Sequence, residues 1–473
     1  MFNADARILL SVIVFAYFVF LFVMALYMTR KNKTYEDYNV AGRSVSIFPI
    51  IMTFIGTGVG GSTLLGYMEN GYRLGMGQQW IHISIFLCVI IFATFLIRRI
   101  GHLGEQHNMV TIGDYTTLRY SKRARVPTVF SILFSYCAMT GTNFIALATI
   151  LNLTIGLDFT LGIFIGWFLL TSKTYFGGLK AIIWQDVIHG IILTVGIIAL
   201  FITVVSASGG WGPTSEYAAS IGEGDMLSVM NISTGEILIY LFTLGLFQLV
   251  RQDLWQRVWA SKSVNSAPNA YWISMVIAVG LGVLIVAIGV FSRYGLRLTD
   301  IDPVFIYYGV IEEVFPFALV SLMIIVLLAV VISSADSFLM AGASSIVNDI
   351  IRPNAAHAGE KKMLLWSRLS VLIVSVVALV SALVIPELVN LMVTGTAMTV
   401  SGLLAPVIFG LFWKRVPEVA GVASMWGGLI TAVIWQILGQ PFDLHPIFIG
   451  LPLSIVILLI ITLSTKPNAP ARA

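Results

Sequence analysis

The feature that most constrains this chain is the recurrence of apolar runs of about twenty residues, the length an α-helix needs to cross a bilayer. Thirteen are read from the sequence, at 8–28, 47–67, 76–98, 127–150, 158–176, 182–205, 235–256, 271–293, 316–341, 365–385, 389–412, 418–438 and 446–464. Backbone in hydrocarbon must satisfy its own hydrogen bonds, so such runs fold as helices. With 58% hydrophobic and 11% charged residues, no soluble core could hide this much apolar surface. The expectation is an all-α polytopic membrane protein. The first run lacks a basic leader and a small-residue cleavage site, so it reads as a retained span.

Basic residues give the orientation. With the N-terminus outside, the inner loops receive Arg30, Lys31, Lys33, Arg43, Arg98, Arg99, Arg119, Lys122, Arg123 and Arg125. They also receive Lys173, Lys180, Arg257, Lys262, Arg352, Lys361, Lys362, Arg368, Lys414, Arg415, Lys466 and Arg472, whereas Arg7, Arg73, Arg293 and Arg297 stay outside. The chain is therefore oriented N-terminus out, C-terminus in. Its net charge of +4 is spread over short loops and does not point to nucleic acid. The outer loop 206–234 carries Glu216, Glu223 and Asp225 without Lys or Arg; it is either a solvated loop or a vestibule that concentrates cations. Cys88 and Cys137 lie inside apolar runs and read as small packing residues. No nucleophile–base pair or metal-ligand spacing argues for an enzyme, and no loop or tail is long enough for a soluble domain.

Polar residues inside apolar runs are costly and mark function by default. In Leu327–Asp349 the run carries Ser333, Ser334, Asp336 and Ser337. On a helix, the Val330 carbonyl and the Ser333 and Ser334 hydroxyls converge, three or four residues apart. An all-oxygen, uncharged set of this kind suits a hard monovalent cation, read here as sodium. Serine back-bonding to its own helix is the alternative.

The run at 47–67 has Gly56, Gly58, Gly60 and Gly61 in its middle. Each glycine costs a helix interior about 1 kcal/mol relative to alanine. A break follows, of the kind at which secondary transporters bind substrate and ion. Close packing through small residues is the alternative, but Ser62 and Thr63 follow at once and favour the break. Asp186 reads either as an ion carboxylate or as a paired interfacial acid. His82 and His189 read as packed and neutral. Arg251, Asp253 and Arg257 read as intrahelical pairs snorkelling to the inner interface, with structural or gating roles.

The segments YNVAGRS, TYFGGLKAIIWQDVIHG, QDLWQRVWASKS, LAVVISSADSFL and LLAPVIFGLFWKRV occur in this order. Together they resemble the sodium:solute symporter family, which includes bacterial proline, pantothenate, sialic acid and galactose symporters. The resemblance runs over essentially the whole chain. Lys173 departs from it, standing where an apolar residue is usual, at a position read as near the inner surface.

The resemblance implies a LeuT-type architecture of two inverted five-helix repeats, here 47–205 and 235–412. Peripheral helices would lie at 8–28 and 418–464, with a cytoplasmic tail at 465–473. It implies a main sodium site at the carbonyls of Gly56, Val59 and Val330 and the hydroxyls of Ser333 and Ser334. A second sodium site would involve Asp186, Ser333, Ser334, Asp336 and Ser337. Asp336 complicates it, because two close carboxylates repel unless a cation joins them or they point apart. The substrate cavity would draw on Ser62, Thr63, Gln78, Gln79, Asn143, Phe247, Gln248 and Thr399.

The function these features predict is a sodium-coupled symporter of a bacterial inner membrane. It would import a small organic solute by alternating access, an amino acid or small carboxylate before a sugar. Its partners would be solute, sodium and the bilayer, with no organic cofactor, no nucleic acid and no obligatory protein partner. A transporter-like membrane sensor and a sodium-independent uniporter or channel are the other readings.

Overall fold

The computed structural model describes residues 4–30, 33–355, 357–385 and 387–465. Lys31, Lys466, Arg472 and the expected tail beyond Thr465 lie outside the described residues. Among the described residues, eleven helices are long and apolar enough to cross a membrane. They account for the expected runs with two differences. Phe159–Ala207 covers both 158–176 and 182–205 in one helical stretch. The 47–67 run is a short helix, Ile47–Gly58, followed after a break by Ser62–Gly66 and Tyr67–Leu74.

Burial separates centre from rim. In Leu388–Phe412 94% of the most apolar window is buried, against 28% in Arg7–Thr29. Phe317–Ser345 lies at the centre, packed on Arg125–Ile155 and Phe159–Ala207. Ile47–Gly58 packs on Phe159–Ala207 and Ala267–Tyr294. Glu418–Ile437 and Ile447–Ser464 pair with each other beside Leu388–Phe412 and expose apolar side chains such as Ile434 and Ile460.

Three interruptions shape the interior. At the first, Val59 is extended (φ −114°, ψ 99°), and its N–H makes the last helical bond, to the Ile55 carbonyl. The carbonyls of Gly56 to Val59 are thus the open end of a helix, whereas Gly60 already accepts from Thr63 and Leu64. The second falls at Arg251 (φ −72°, ψ 112°), between Gln248–Val250 and Gln252–Ala260. From the sequence 235–256 reads as continuous, since no glycine cluster marks a break. Here side chains supply the missing partners: Asp253 N–H donates to the Tyr136 hydroxyl (2.9 Å) and the Trp255 indole donates to the Leu249 carbonyl (3.1 Å).

The third is Gly178, at φ 63° and ψ 179°. This region is essentially confined to glycine, and a Cβ there would lie 2.6 Å from the Tyr38 ring. Tyr38 belongs to the YNVAGRS segment, whose Asn39 also bonds Ser344, Ser367 and, through its carbonyl, Gln256. Gly178→Ala should destabilise the protein by about 1–3 kcal/mol through backbone strain. It should be read as a lower melting temperature in detergent; an unchanged value would remove Gly178 as the hinge of this helix.

Candidate functional site

The polar turn of Phe317–Ser345 meets the first break directly. A Cβ on Gly56 would lie 2.4 Å from Ser333 Oγ, and one on Gly60 would lie 3.0 Å from Ser334 Oγ. Glycine at these two positions lets the broken helix come this close to the serine hydroxyls. Ser334 Oγ is 3.0 Å from the Val330 carbonyl and 2.7 Å from Asn143 Oδ1, which also accepts the Gly61 N–H at 3.1 Å. Ser333 donates to Asp186 Oδ1 at 2.5 Å. A hydroxyl that donates its proton keeps lone pairs for a cation, so these bonds are compatible with an oxygen-lined ion site.

Asp186 is fully buried and tied to this place rather than to an interface. Its Oδ2 accepts from Thr53 at 2.5 Å. Thr53 in turn accepts from Arg257 Nε at 3.0 Å. Arg257 Nη2 reaches Thr57 at 2.6 Å and Ser337 at 2.5 Å, and lies 3.9 Å from Asp186. Arg251 forms a two-pronged pair with Asp253 (3.1 and 2.7 Å) and also reaches Gln248 Oε1 at 3.2 Å. The expectation that these charges snorkel is therefore corrected. Arg251, Asp253 and Arg257 are buried, because the second break turns their helix into the bundle. Arg257 is read from the sequence only as structural or gating, and Thr53 and Thr57 were not singled out. Their signal was legible: Thr53, Thr57 and Gly61 repeat at four-residue spacing on one helix face.

Asp336 does not join Asp186, Ser333 and Ser337. Lys173 and Thr174 hold it, the Thr174 hydroxyl at 2.6 Å and the Lys173 ammonium in a short ion pair. Lys173 is likewise not near the surface; it is buried and also reaches Gln185 Oε1 at 2.6 Å. Gln185 ties this group to the Ala4–Thr29 helix through the Leu21 carbonyl (3.0 Å), so a peripheral helix covers the lysine.

A cavity of about 60 Å³ adjoins the break, lined by Thr57, Ser62, Thr63, Tyr67, Met139, Phe247, Gln248 and Met392 among others. It brings together Ser62, Thr63, Phe247 and Gln248 of the expected substrate residues, with Asn143 one contact away. Three others lie elsewhere. Gln78 accepts from Asn70 (3.1 Å) and Tyr240 (2.9 Å), Gln79 donates to the Val283 carbonyl (2.9 Å), and Thr399 donates to the Ser131 carbonyl (2.5 Å). The 3-10 turn Gly75–Gln79 carries both glutamines off the helix that would have aimed them inward. His82 lines the cavity edge-on to Tyr67, and neither His82 nor His189 has a hydrogen-bond partner among the described residues.

Interrupted helices meeting inside a bundle beside a buried cavity are the arrangement of a secondary transporter. Solved structures agree on the fold. A Na+-coupled sialic acid symporter in a substrate-bound outward-open state matches at a TM-score of 0.82 and 17% identity, covering 98% of this chain and 99% of that one. Mhp1, a nucleobase-cation-symport-1 family transporter in a closed conformation, matches at 0.60 and 15% identity over 90% and 92%. The fold is LeuT-type.

Residues 38–428 match the sodium:solute symporter family, and the chain belongs to it. The high-affinity proline transporter of Bacillus subtilis (strain 168) is 26% identical over 94% of this chain and 95% of its own length. A sodium/proline symporter of Staphylococcus aureus is 23% identical over 99% and 95%. The protein is a sodium-coupled solute importer of the bacterial cell membrane, not an enzyme.

Removing one partner of a buried charge pair typically costs about 3–5 kcal/mol. Arg257→Met should therefore lower the melting temperature in detergent sharply. Thr57→Val, which removes a single neutral hydroxyl, should cost only about 1 kcal/mol. Equal effects of the two would contradict Arg257 as the counter-charge of Asp186.

Proposed function

We propose that sodium binds between the break and the serine pair, at the carbonyls of Gly56, Val59 and Val330 and the hydroxyls of Ser333 and Ser334. The observation that carries this reading is the contact of Gly56 and Gly60 with Ser333 and Ser334. Sodium there joins two separate elements, the broken helix and Phe317–Ser345, and so favours the conformation in which they meet. The solute binds in the adjoining cavity, stabilises the same arrangement, and is released inside once sodium leaves. Because the coupling is a binding free energy it is reciprocal: each ligand tightens the other by the same factor.

Two inverted repeats, 47–205 and 235–412, carry the movement, with the N-terminus outside and the C-terminus inside. The breaks at Val59 and Arg251, one in the leading helix of each half, support that division. The 8–28 helix and the two helices within 418–464 are peripheral.

The solute is a small amino acid, with L-proline the first candidate. The named relatives support this, as does a small cavity whose walls combine methionine and aromatic surface with a few polar groups. The N-terminus of the half-helix beginning at Ser62 and Thr63 offers a positive dipole end to a carboxylate. Arg251 is held by Asp253 and is not free to clamp one. A sugar would need more polar walls.

In proteoliposomes, radiolabelled L-proline should accumulate with an inward sodium gradient and not with choline. Ser333→Ala and Ser334→Ala should each raise the half-saturating sodium concentration about ten-fold or more, as expected for losing one ligand to a charged group. Unchanged uptake at both limiting and saturating sodium would remove the site. Sodium-driven uptake of another solute in place of L-proline would remove only the substrate reading.

A further inference from the structure

Beyond the site itself, the interior holds an ion pair that the coupling mechanism does not use. Lys173 and Asp336 are both buried, and Asp336 is fully engaged by protein donors, Thr174 on one oxygen and Lys173 on the other. Asp336 sits three residues from Ser333 on the same helix. A carboxylate at that depth needs a positive partner. The surrounding charges are already matched: Arg251 and Arg257 lie against Asp253, and Arg257 lies near Asp186. Three cations (Lys173, Arg251, Arg257) face three carboxylates (Asp186, Asp253, Asp336). Both Asp336 oxygens are thus taken by protein donors, and a free cation there would have to displace the Lys173 ammonium.

We propose that the Lys173 ammonium is a tethered substitute for a free monovalent cation at Asp336, so that this chain binds one sodium ion and not two. This rests on the sodium site proposed above. The positive charge beside Asp336 remains with the protein through the cycle, whereas the ion at Ser333 and Ser334 comes and goes. Lys173 touches neither solute nor the transported ion; it sets how many ions are carried. Gln185, which accepts from Lys173 and donates to the Leu21 carbonyl of the Ala4–Thr29 helix, holds the amine in place.

The test needs sodium alone. Purified full-length protein in detergent is titrated with radioactive sodium, and bound ions per chain are counted at saturation. The wild type should bind about one. Lys173→Met should bind about two, with a steeper titration, because a second ion now neutralises Asp336. Lys173→Met combined with Asp336→Asn should return to about one.

Should Lys173→Met be unstable, its folded yield is followed against sodium concentration. Rescue by sodium but not by choline supports the proposal. Instability at every sodium concentration, repaired only by Asp336→Asn, overturns it and leaves a structural ion pair. A wild type that binds two ions, or a Lys173→Met variant that still binds one, also overturns it while the symporter reading stands. A wild type that binds none overturns the proposed sodium site and this inference with it.

Discussion

Everything in the interior of this bundle follows from the cost of placing charge and unpaired backbone in an apolar medium. A single Asp, Lys or Arg at the centre of a spanning helix costs about 2.5–3.5 kcal/mol or more. Asp186, Asp253 and Asp336 are tolerated because each is met by hydroxyls and by a buried cation. These pairings join helices distant in sequence: Arg257 alone contacts Thr53, Thr57 and Ser337. They act as cross-braces, and they leave the proposed ion site to neutral oxygens.

That division explains how one place can be both rigid and able to empty. Around Asp186 the donors are the Thr53 and Ser333 hydroxyls, with the fixed Arg257 guanidinium 3.9 Å away. At Ser334 and the end of Ile47–Gly58 the oxygens belong to uncharged groups, a set that would hold a monovalent ion without trapping it. The breaks make this possible. A continuous helix would spend the Gly56 and Val59 carbonyls on its own ladder, and any side chain larger than hydrogen at 56 would displace Ser333.

The spans were legible because each is a run of apolar residues whose length is set by the bilayer. The Ser333–Ser334 site was legible because hydroxyls in such a run have few structural excuses, and Gly56 to Gly61 announce a break by composition. The Arg251 break was not, because it is stabilised by tertiary partners, Tyr136 and Trp255, that no local pattern reveals. Lys173 was misplaced for the same reason. Its position near the end of an apolar run reads as interfacial, but Phe159–Ala207 continues past Gly178 and the Ala4–Thr29 helix covers the amine. Gln78, Gln79 and Thr399 look like substrate ligands by type; only the three-dimensional path of the chain shows that backbone carbonyls or neighbouring side chains already engage them. Asp336 was open in the sequence; the structure sets it against Lys173 and Thr174, apart from Asp186.

The central claim is that the serine pair and the broken helix together form the sodium site. The most direct measurement is the melting temperature of the purified protein across a sodium titration, with potassium at matched ionic strength as the control. A ligand that binds only the folded state stabilises it by mass action. The account predicts a sodium-specific rise in the wild type that is lost in Ser334→Ala and retained in Thr399→Ala, a hydroxyl outside the site. A sodium-specific rise of the same size in Ser334→Ala would contradict it.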